Sequence, residues 1–167
     1  MFTNKQHVTG LLAAGLSILY VAGAVASDAS TKSKYAGQEQ RAIKSLSAND
    51  VAELRRGGGW GLAKVAELNG VPGPIHLLEM KVQIQLSADQ IAKITAIYES
   101  MRTGAMAPGG QLIELEGRLD KHFRDGTITE ASLPPLLRRV SEVRAKLREV
   151  HFVGTSESSP TSDRCSS

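Results

Sequence analysis

An apolar stripe between residues 88 and 125 constrains the fold of this chain more than any other feature of its sequence. Its members recur at spacings of three and four residues, which is the period of one face of an α-helix. Because the heptad register continues across Pro108, the pattern predicts one long helix kinked at that proline, with a helix–loop–helix that breaks there as the alternative. The stripe consists of Ile91, Ile94, Tyr98, Met101, Ala105, Leu112, Leu115 and Leu119.

The start of this long helix is marked by the segment Leu86-Ser87-Ala88-Asp89-Gln90. Ser87 at the N-cap and Gln90 three residues later form a capping box. In this arrangement the serine hydroxyl accepts from the N3 amide, and the glutamine side chain bonds back to the N-cap amide. The helix is therefore predicted to begin directly after Ser87.

A helix end is predicted a short distance upstream, at Asn69-Gly70. Both residue types tolerate the positive φ with which many helices end. Pro72 and Pro74 then prevent the helix from continuing, because proline has no amide hydrogen and clashes with the preceding turn. A new short helix is predicted from about Ile75 to Leu86.

A second apolar stripe near the C-terminus predicts the packing partner of the long helix. Ser132 is its expected N-cap, since the two prolines that follow are tolerated in a first helical turn. The fold class is therefore predicted to be all-α: an elongated helical hairpin with a central helix at about 88–125, packed antiparallel on a last helix at about 133–151, and short helices before it. The second stripe consists of Leu133, Leu136, Val140, Val143, Leu147 and Val150.

Residues 1–26 have the features of a secretory signal peptide. Lys5 supplies a positive n-region, Val8–Ala22 is a largely apolar run, and Ala24-Val25-Ala26 matches an A-x-A cleavage site. An uncleaved anchor is the alternative, although the run is short for a bilayer span. We therefore expect export to the periplasm, with no membrane span after cleavage.

The other predicted boundaries follow from composition. The polar segment 27–36 is expected to be a flexible linker, and 37–152 the helical domain. From 153 to 167 the chain is serine-rich and without periodicity, which predicts a disordered tail. Cys165 is the only cysteine, so no internal disulfide is expected.

Composition and motifs argue against several function classes. The formal net charge of +3 is small and scattered along the chain, which argues against nucleic-acid binding. The run Gly57-Gly58-Gly59-Trp60-Gly61 lacks the Gly-Lys-Ser/Thr ending of a phosphate-binding loop, so we interpret it as a hinge with Trp60 as a hydrophobic lid. No Ser/His/Asp set or paired carboxylates stand in a recognisable catalytic context, and we expect the protein not to be an enzyme.

The unequal lengths of the two predicted helices indicate a partner. The last helix is expected to cover only the second half of the central one, and such a thin structure buries little surface by itself. We therefore expect a homodimer, or an apolar face that binds client proteins, with methionines as its adaptable element. The candidate client-binding residues are Met80, Ile91, Ile94, Tyr98, Met101 and Met106.

Two segments resemble the Spy/CpxP family of periplasmic proteins, and the resemblance covers roughly Tyr35 to Phe152. The first is Ala66-Glu67-Leu68-Asn69-Gly70-Val71-Pro72-Gly73-Pro74, followed by His76, and the second is Leu86-Ser87-Ala88-Asp89-Gln90, a form of the LTxxQ motif. The resemblance implies a hairpin that dimerises into a cradle. It also implies an ATP-independent chaperone of the envelope stress response that binds unfolded envelope proteins, or a regulator that binds a sensor-kinase ectodomain.

The same resemblance implies an alternative function as a periplasmic heavy-metal sensor. His76 and Met80 are one helical turn apart on the same predicted face, and the carry-over adds His151 at the end of the last helix. Such a set suits zinc, nickel, cobalt or copper, whereas chaperone action requires no cofactor. The opposing interpretation is that His76 caps a helix and Met80 packs in the core.

Overall fold

The computed structural model describes residues 33–159, and within this range it contains helices and no strand. A 3₁₀ helix at Gln38–Gln40 precedes five α-helices, so the predicted all-α class is confirmed. The predicted signal peptide at 1–26 and Cys165 lie outside the described residues, and of the predicted linker only 33–36 is described, as turns. The helices are α1 Ala48–Arg56, α2 Lys64–Glu67, α3 Pro74–Glu79, α4 Ala88–Arg124 and α5 Leu133–Ser158.

Helix α4 is the long helix that the apolar stripe predicts. It runs for 37 residues without interruption through Pro108, so the helix–loop–helix alternative is wrong. Its capping box forms as expected, because the Ser87 hydroxyl accepts from the Gln90 amide at 3.2 Å and the Gln90 side chain accepts from the Ser87 amide at 2.8 Å. The kink at Pro108 stays a prediction.

Helices α4 and α5 form the hairpin and hold most of the core. Their antiparallel direction follows from two contacts: Arg144 pairs with Glu116 across 3.6 Å, while Gly154, further along α5, lies against Met101, earlier in α4. The core between them includes Ala105 and Leu112, both fully buried. Leucines and valines of both predicted stripes complete it: Leu115, Leu136, Val140 and Leu147.

Helix α1 crosses α4 at two glycines. A Cβ added at Gly109 would lie 2.2 Å from the Leu54 carbonyl oxygen, and one at Gly57 would lie 2.0 Å from the carbonyl oxygen of Arg102. The backbones therefore touch at the crossing, and Leu54 is buried to 1 % exposure beside it. The close approach is possible because glycine has no side chain.

The predicted disordered tail is wrong for the part that the structure describes. Helix α5 continues past Phe152 to Ser158. Gly154 lets α5 approach α4 closely, since a Cβ there would meet the Met101 sulfur at 2.8 Å. Thr155 is 2 % exposed, and the Ser158 hydroxyl donates to the Thr155 carbonyl at 3.0 Å. Packing and internal hydrogen bonding thus outweigh the polar composition, and the remaining tail residues lie outside the described range.

The turn from α2 to α3 follows the sequence prediction. Gly70 has φ of 81°, and the amides of Gly70 and Val71 donate to the carbonyls of Glu67 and Ala66, which is the hydrogen-bond pattern of a Schellman motif. The Asn69 side chain donates to the Val65 carbonyl at 2.7 Å. Pro74 then stands in the first turn of α3, with Pro72 two residues before it.

Helix α3 is shorter than predicted, ending at Glu79 rather than near Leu86. The chain makes one more turn, which closes with a second Schellman pattern: the Leu86 amide donates to the Lys81 carbonyl at 2.9 Å and that of Gln85 to Val82 at 3.2 Å. Gln85 takes the left-handed position with φ of 54°. The residue type at position 85 does not indicate this ending, because a glycine or asparagine is usual there.

Candidate functional site

The six predicted client-binding residues do not share one exposed surface. Ile94 and Met101 are only 8 % and 9 % exposed, so they belong to the core of the monomer. Ile91 and Tyr98 are half-buried. Met80 and Met106, at 41 % and 43 %, are the two that solvent reaches freely. Most of the stripe is therefore used for packing between helices.

A different apolar surface lies in the turn between α3 and α4. Val82 is 77 % exposed and Ile84 43 %, and both follow the exposed Met80. We call these three residues the apolar turn. Sequence reasoning missed Val82 and Ile84 because it placed them in a continuing helix. The available signal was the alternation of apolar residues with Lys81 and Gln83, which does not fit a helical period.

The apolar turn lies near the end of the hairpin that α5 does not reach. The last described turns of α5 border Ile97, Ser100 and Met101 of α4. The first turns of α4, from Ala88, extend beyond that point. The apolar turn precedes them directly, so it stands outside the contact between the two long helices.

A second feature is a cavity of about 320 Å³ where α3, α4 and α5 meet the glycine-rich loop, residues 57–61. Gly73 and His76 line it from the start of α3, and His151 and Thr155 line it from α5. The fold thus brings together two of the three predicted metal ligands. The third, Met80, does not line the cavity and is exposed to solvent.

His151 is the most unusual group in this cavity. Its side chain is 2 % exposed, and its Nε2 atom is buried without a hydrogen-bond partner among the described residues. Burial lowers the pKa of the imidazole, and the nearby Glu67 carboxylate opposes this shift only in part. The ring is therefore neutral at pH 7. Buried polar atoms in proteins are nearly always paired, so an unpaired one is unusual. Because this nitrogen has no partner within the described residues, it is available for a ligand.

His76 lies between two carboxylates at the mouth of the same cavity. Its Nδ1 is 3.3 Å from an oxygen of Glu79, and its Nε2 is 3.7 Å from an oxygen of Glu67. Within residues 33–159, however, no three or more histidine, cysteine, aspartate or glutamate side chains are grouped so as to hold a metal ion. The donor types suit a transition metal, while their present arrangement does not complete a site.

Comparisons with known proteins found no significant match to any protein-family model, curated protein or solved structure. Among the helices of the described range, none is both long enough and apolar enough to cross a bilayer.

Proposed function

We propose that this protein is an ATP-independent chaperone of Spy/CpxP type that acts in the periplasm on unfolded envelope proteins. The observation that carries the proposal is the apolar turn, with Val82 exposed to 77 %. Exposed apolar side chains that cluster in this way are typical of surfaces that bind other proteins. An unfolded chain offers complementary apolar groups, and the association needs no nucleotide because burial of apolar surface drives it.

Charge near the apolar turn supports the same function. Lys81 lies within the turn and Lys93 in the first turns of α4, and both are exposed. Between Met80 and Leu86 the chain has no acidic residue, while the exposed carboxylates Glu79 and Asp89 flank this stretch. Basic groups beside an apolar surface increase the rate of encounter with acidic chains.

The test is light scattering of a chemically denatured client diluted into buffer with the purified protein and without nucleotide. We expect the protein to suppress the scattering, and the double variant Val82→Ser/Ile84→Ser to lose most of this effect. Phe123→Ser is the matched control, since Phe123 is 57 % exposed but lies at the other end of α4. Equal suppression by the double variant would show that clients bind at another surface. No suppression by the unaltered protein would refute the proposal.

A second candidate function, heavy-metal sensing, is favoured by one observation: the unpaired Nε2 of buried His151 in a cavity that His76 also lines. His76, His151 and Glu67 are the residues that would hold the ion, which would supply a cross-link between α3, α5 and the end of α2. Met80, although part of the predicted set, does not line this cavity. Sensing requires these side chains to draw closer than they are here.

Thermal unfolding with and without Zn²⁺, Ni²⁺, Co²⁺ and Cu²⁺ tests this candidate. An ion that binds only the folded chain, at a free concentration of a hundred times its Kd, raises the free energy of unfolding by about 2.7 kcal/mol. We expect His76→Gln to remove the rise in Tm and Met80→Leu to keep it. A rise that survives His76→Gln, or no rise with any of the four ions, would exclude a metal site in this cavity.

A further inference from the structure

An open groove of about 530 Å³ lies between the glycine-rich loop, α2 and α5, and it shares only Trp60 and Gly61 with the cavity that His151 lines. Trp60, Leu62, Val65 and Leu68 provide its apolar part. The volume falls in the range of ligand-binding pockets. Two of these side chains are unusually exposed, since Val65 is 53 % and Leu68 76 % accessible to solvent. No residue of the described chain covers them.

Trp60 has a fixed position in this groove. Its indole nitrogen donates to an Asp50 oxygen at 2.9 Å, and the Arg144 guanidinium lies over its ring at 5.1 Å from the centroid. Its backbone φ is 43°, a left-handed conformation that is costly for a bulky residue. Strain of this kind is retained where the surrounding contacts hold it, and it occurs preferentially at binding sites. The Trp60 ring, which forms the aromatic floor of the groove, is therefore held in position before a ligand binds.

The charged residues that line the groove are all basic: Lys64, Arg144 and Arg148. Arg144 pairs with Glu116 across 3.6 Å. Within the described part of the chain, Lys64 and Arg148 have no carboxylate within ion-pair distance, and Arg148 instead stacks over Phe152. Two cations beside an apolar floor thus lack an anionic partner.

We propose that this groove binds a short peptide segment in which apolar and acidic side chains alternate. Apolar side chains of such a segment pack on Trp60 and Leu68, while its carboxylates pair with Lys64 and Arg148. In an extended segment, neighbouring side chains can reach different walls of an open groove, which suits a site lined by both apolar and basic residues. The inference rests on the proposed function, because it names a part of the unfolded client that the protein holds.

Trp60 allows a direct test, since it is the only tryptophan in the chain. The probe is a synthetic peptide of alternating leucine and glutamate that carries a dinitrophenyl quencher, titrated into the purified protein. We expect saturable quenching of Trp60 fluorescence that weakens as salt is added. A matched peptide with lysine in place of glutamate should bind at least about fivefold more weakly, since exposed ion pairs contribute up to about 1 kcal/mol each.

Variants with matched controls locate the binding. Lys64→Gln/Arg148→Gln should raise the Kd of the acidic peptide about fivefold or more, while Arg138→Gln, an exposed cation of α5 that does not line the groove, should leave it unchanged. Leu68→Ser should weaken binding, and Leu137→Ser, at an exposed leucine of α5, should not. All five positions are exposed, so the fold tolerates the changes.

The possible outcomes distinguish peptide binding in the groove from the proposed chaperone function. A protein that suppresses client aggregation but does not bind the acidic peptide overturns the groove assignment alone. One that binds the peptide in the groove but suppresses no aggregation supports the groove and refutes the chaperone. Equal binding of the lysine peptide overturns the charge argument. A Trp60 signal that changes with protein concentration in the absence of peptide assigns the groove to a second copy of the chain.

Discussion

At the scale of single residues, the positions of the helix ends determine where the apolar turn lies. Ser87 and Gln90 begin α4 directly after the apolar turn, and Gln85 ends that turn in a left-handed conformation. Without this ending, Val82 and Ile84 would continue as part of a helix instead of projecting from a turn. The exposed surface therefore depends on two backbone features within three residues: the left-handed conformation of Gln85 and the helix cap at Ser87.

Replacing Gln85 by glycine tests the cost of the left-handed ending. Glycine takes φ of 54° without the steric penalty of a side chain. We expect Gln85→Gly to raise the free energy of unfolding by up to about 1 kcal/mol, less the entropy that glycine adds to the unfolded chain. Denaturant titration measures this change, and a clear loss of stability would contradict the assigned turn.

Ser47 caps α1 and also controls the charge of Asp50. Its hydroxyl donates to Asp50 at 2.6 Å, and this bond is the main reason that the pKa of Asp50 is lowered from its ordinary value. Because the folded pKa is the lower one, the stabilisation is present above an ordinary carboxyl pKa of about 4 and is lost as the pH falls through the folded value.

The variant Ser47→Ala should therefore cost about 1 kcal/mol at pH 7 through loss of the cap. The difference from the unaltered protein should shrink at pH 3, because below an ordinary carboxyl pKa of about 4 Asp50 takes up a proton more readily without the Ser47 hydroxyl, and the benefit of that hydroxyl falls with the pH. Denaturant unfolding at the two pH values measures it. An equal difference at both would show that the Asp50 charge has no part in the cap.

At the scale of helices, the register of α4 was predictable and its partners were predictable only in part. The apolar period carries through Pro108 because neighbouring turns and tertiary contacts compensate for one missing hydrogen bond. The last turns of α5 were not predictable, since Gly154 and Thr155 have no apolar pattern. Gly154 is buried against Met101, and Thr155 is buried beside Gly73 at the start of α3. The family resemblance implied His76, Met80 and His151 as one metal-binding set, and the fold places the two histidines at one cavity but leaves Met80 outside it.

The crossing of α1 and α4 gives a matched pair of variants at adjacent positions. Gly109→Ala places a methyl group 2.2 Å from the Leu54 carbonyl oxygen, so we expect it to destabilise the fold by about 2 kcal/mol or more. Gly110→Ala meets no atom within 4 Å and should stabilise α4 by up to about 1 kcal/mol. Thermal unfolding of both checks this. The same sign of effect for both would mean that the helices do not cross there.

At the scale of the whole molecule, Met106, Phe123, Leu137 and Val153 are exposed on α4 and α5, and further exposed apolar groups lie on segments outside the hairpin. The apolar turn and the Val65–Leu68 side of the groove are examples, and each has basic residues nearby. The sequence predicted that the long helix would lack full cover. Apart from Met80 and Met106, the sequence prediction placed the client-binding residues on the stripe, because the burial of Ile94 and Met101 depends on packing that the pattern does not specify.

We propose, as the sequence predicts, that two copies associate. A dimer that dissociates on unfolding should show a Tm that rises by a few degrees for each tenfold increase in protein concentration. Calorimetry over a hundredfold concentration range, with sedimentation to give the mass, measures this. A constant Tm together with a monomer mass would contradict the dimer and leave client binding as the use of the exposed surface.

The binding of unfolded proteins at the apolar turn can be measured by backbone hydrogen exchange of the purified protein, with and without a bound unfolded client. We expect slower exchange at residues 80–86 when the client is bound. Exchange around Phe123, at the opposite end of α4, should not change. Protection confined to that opposite end, or none at any residue, would contradict the claim that this chain holds unfolded proteins at its apolar turn.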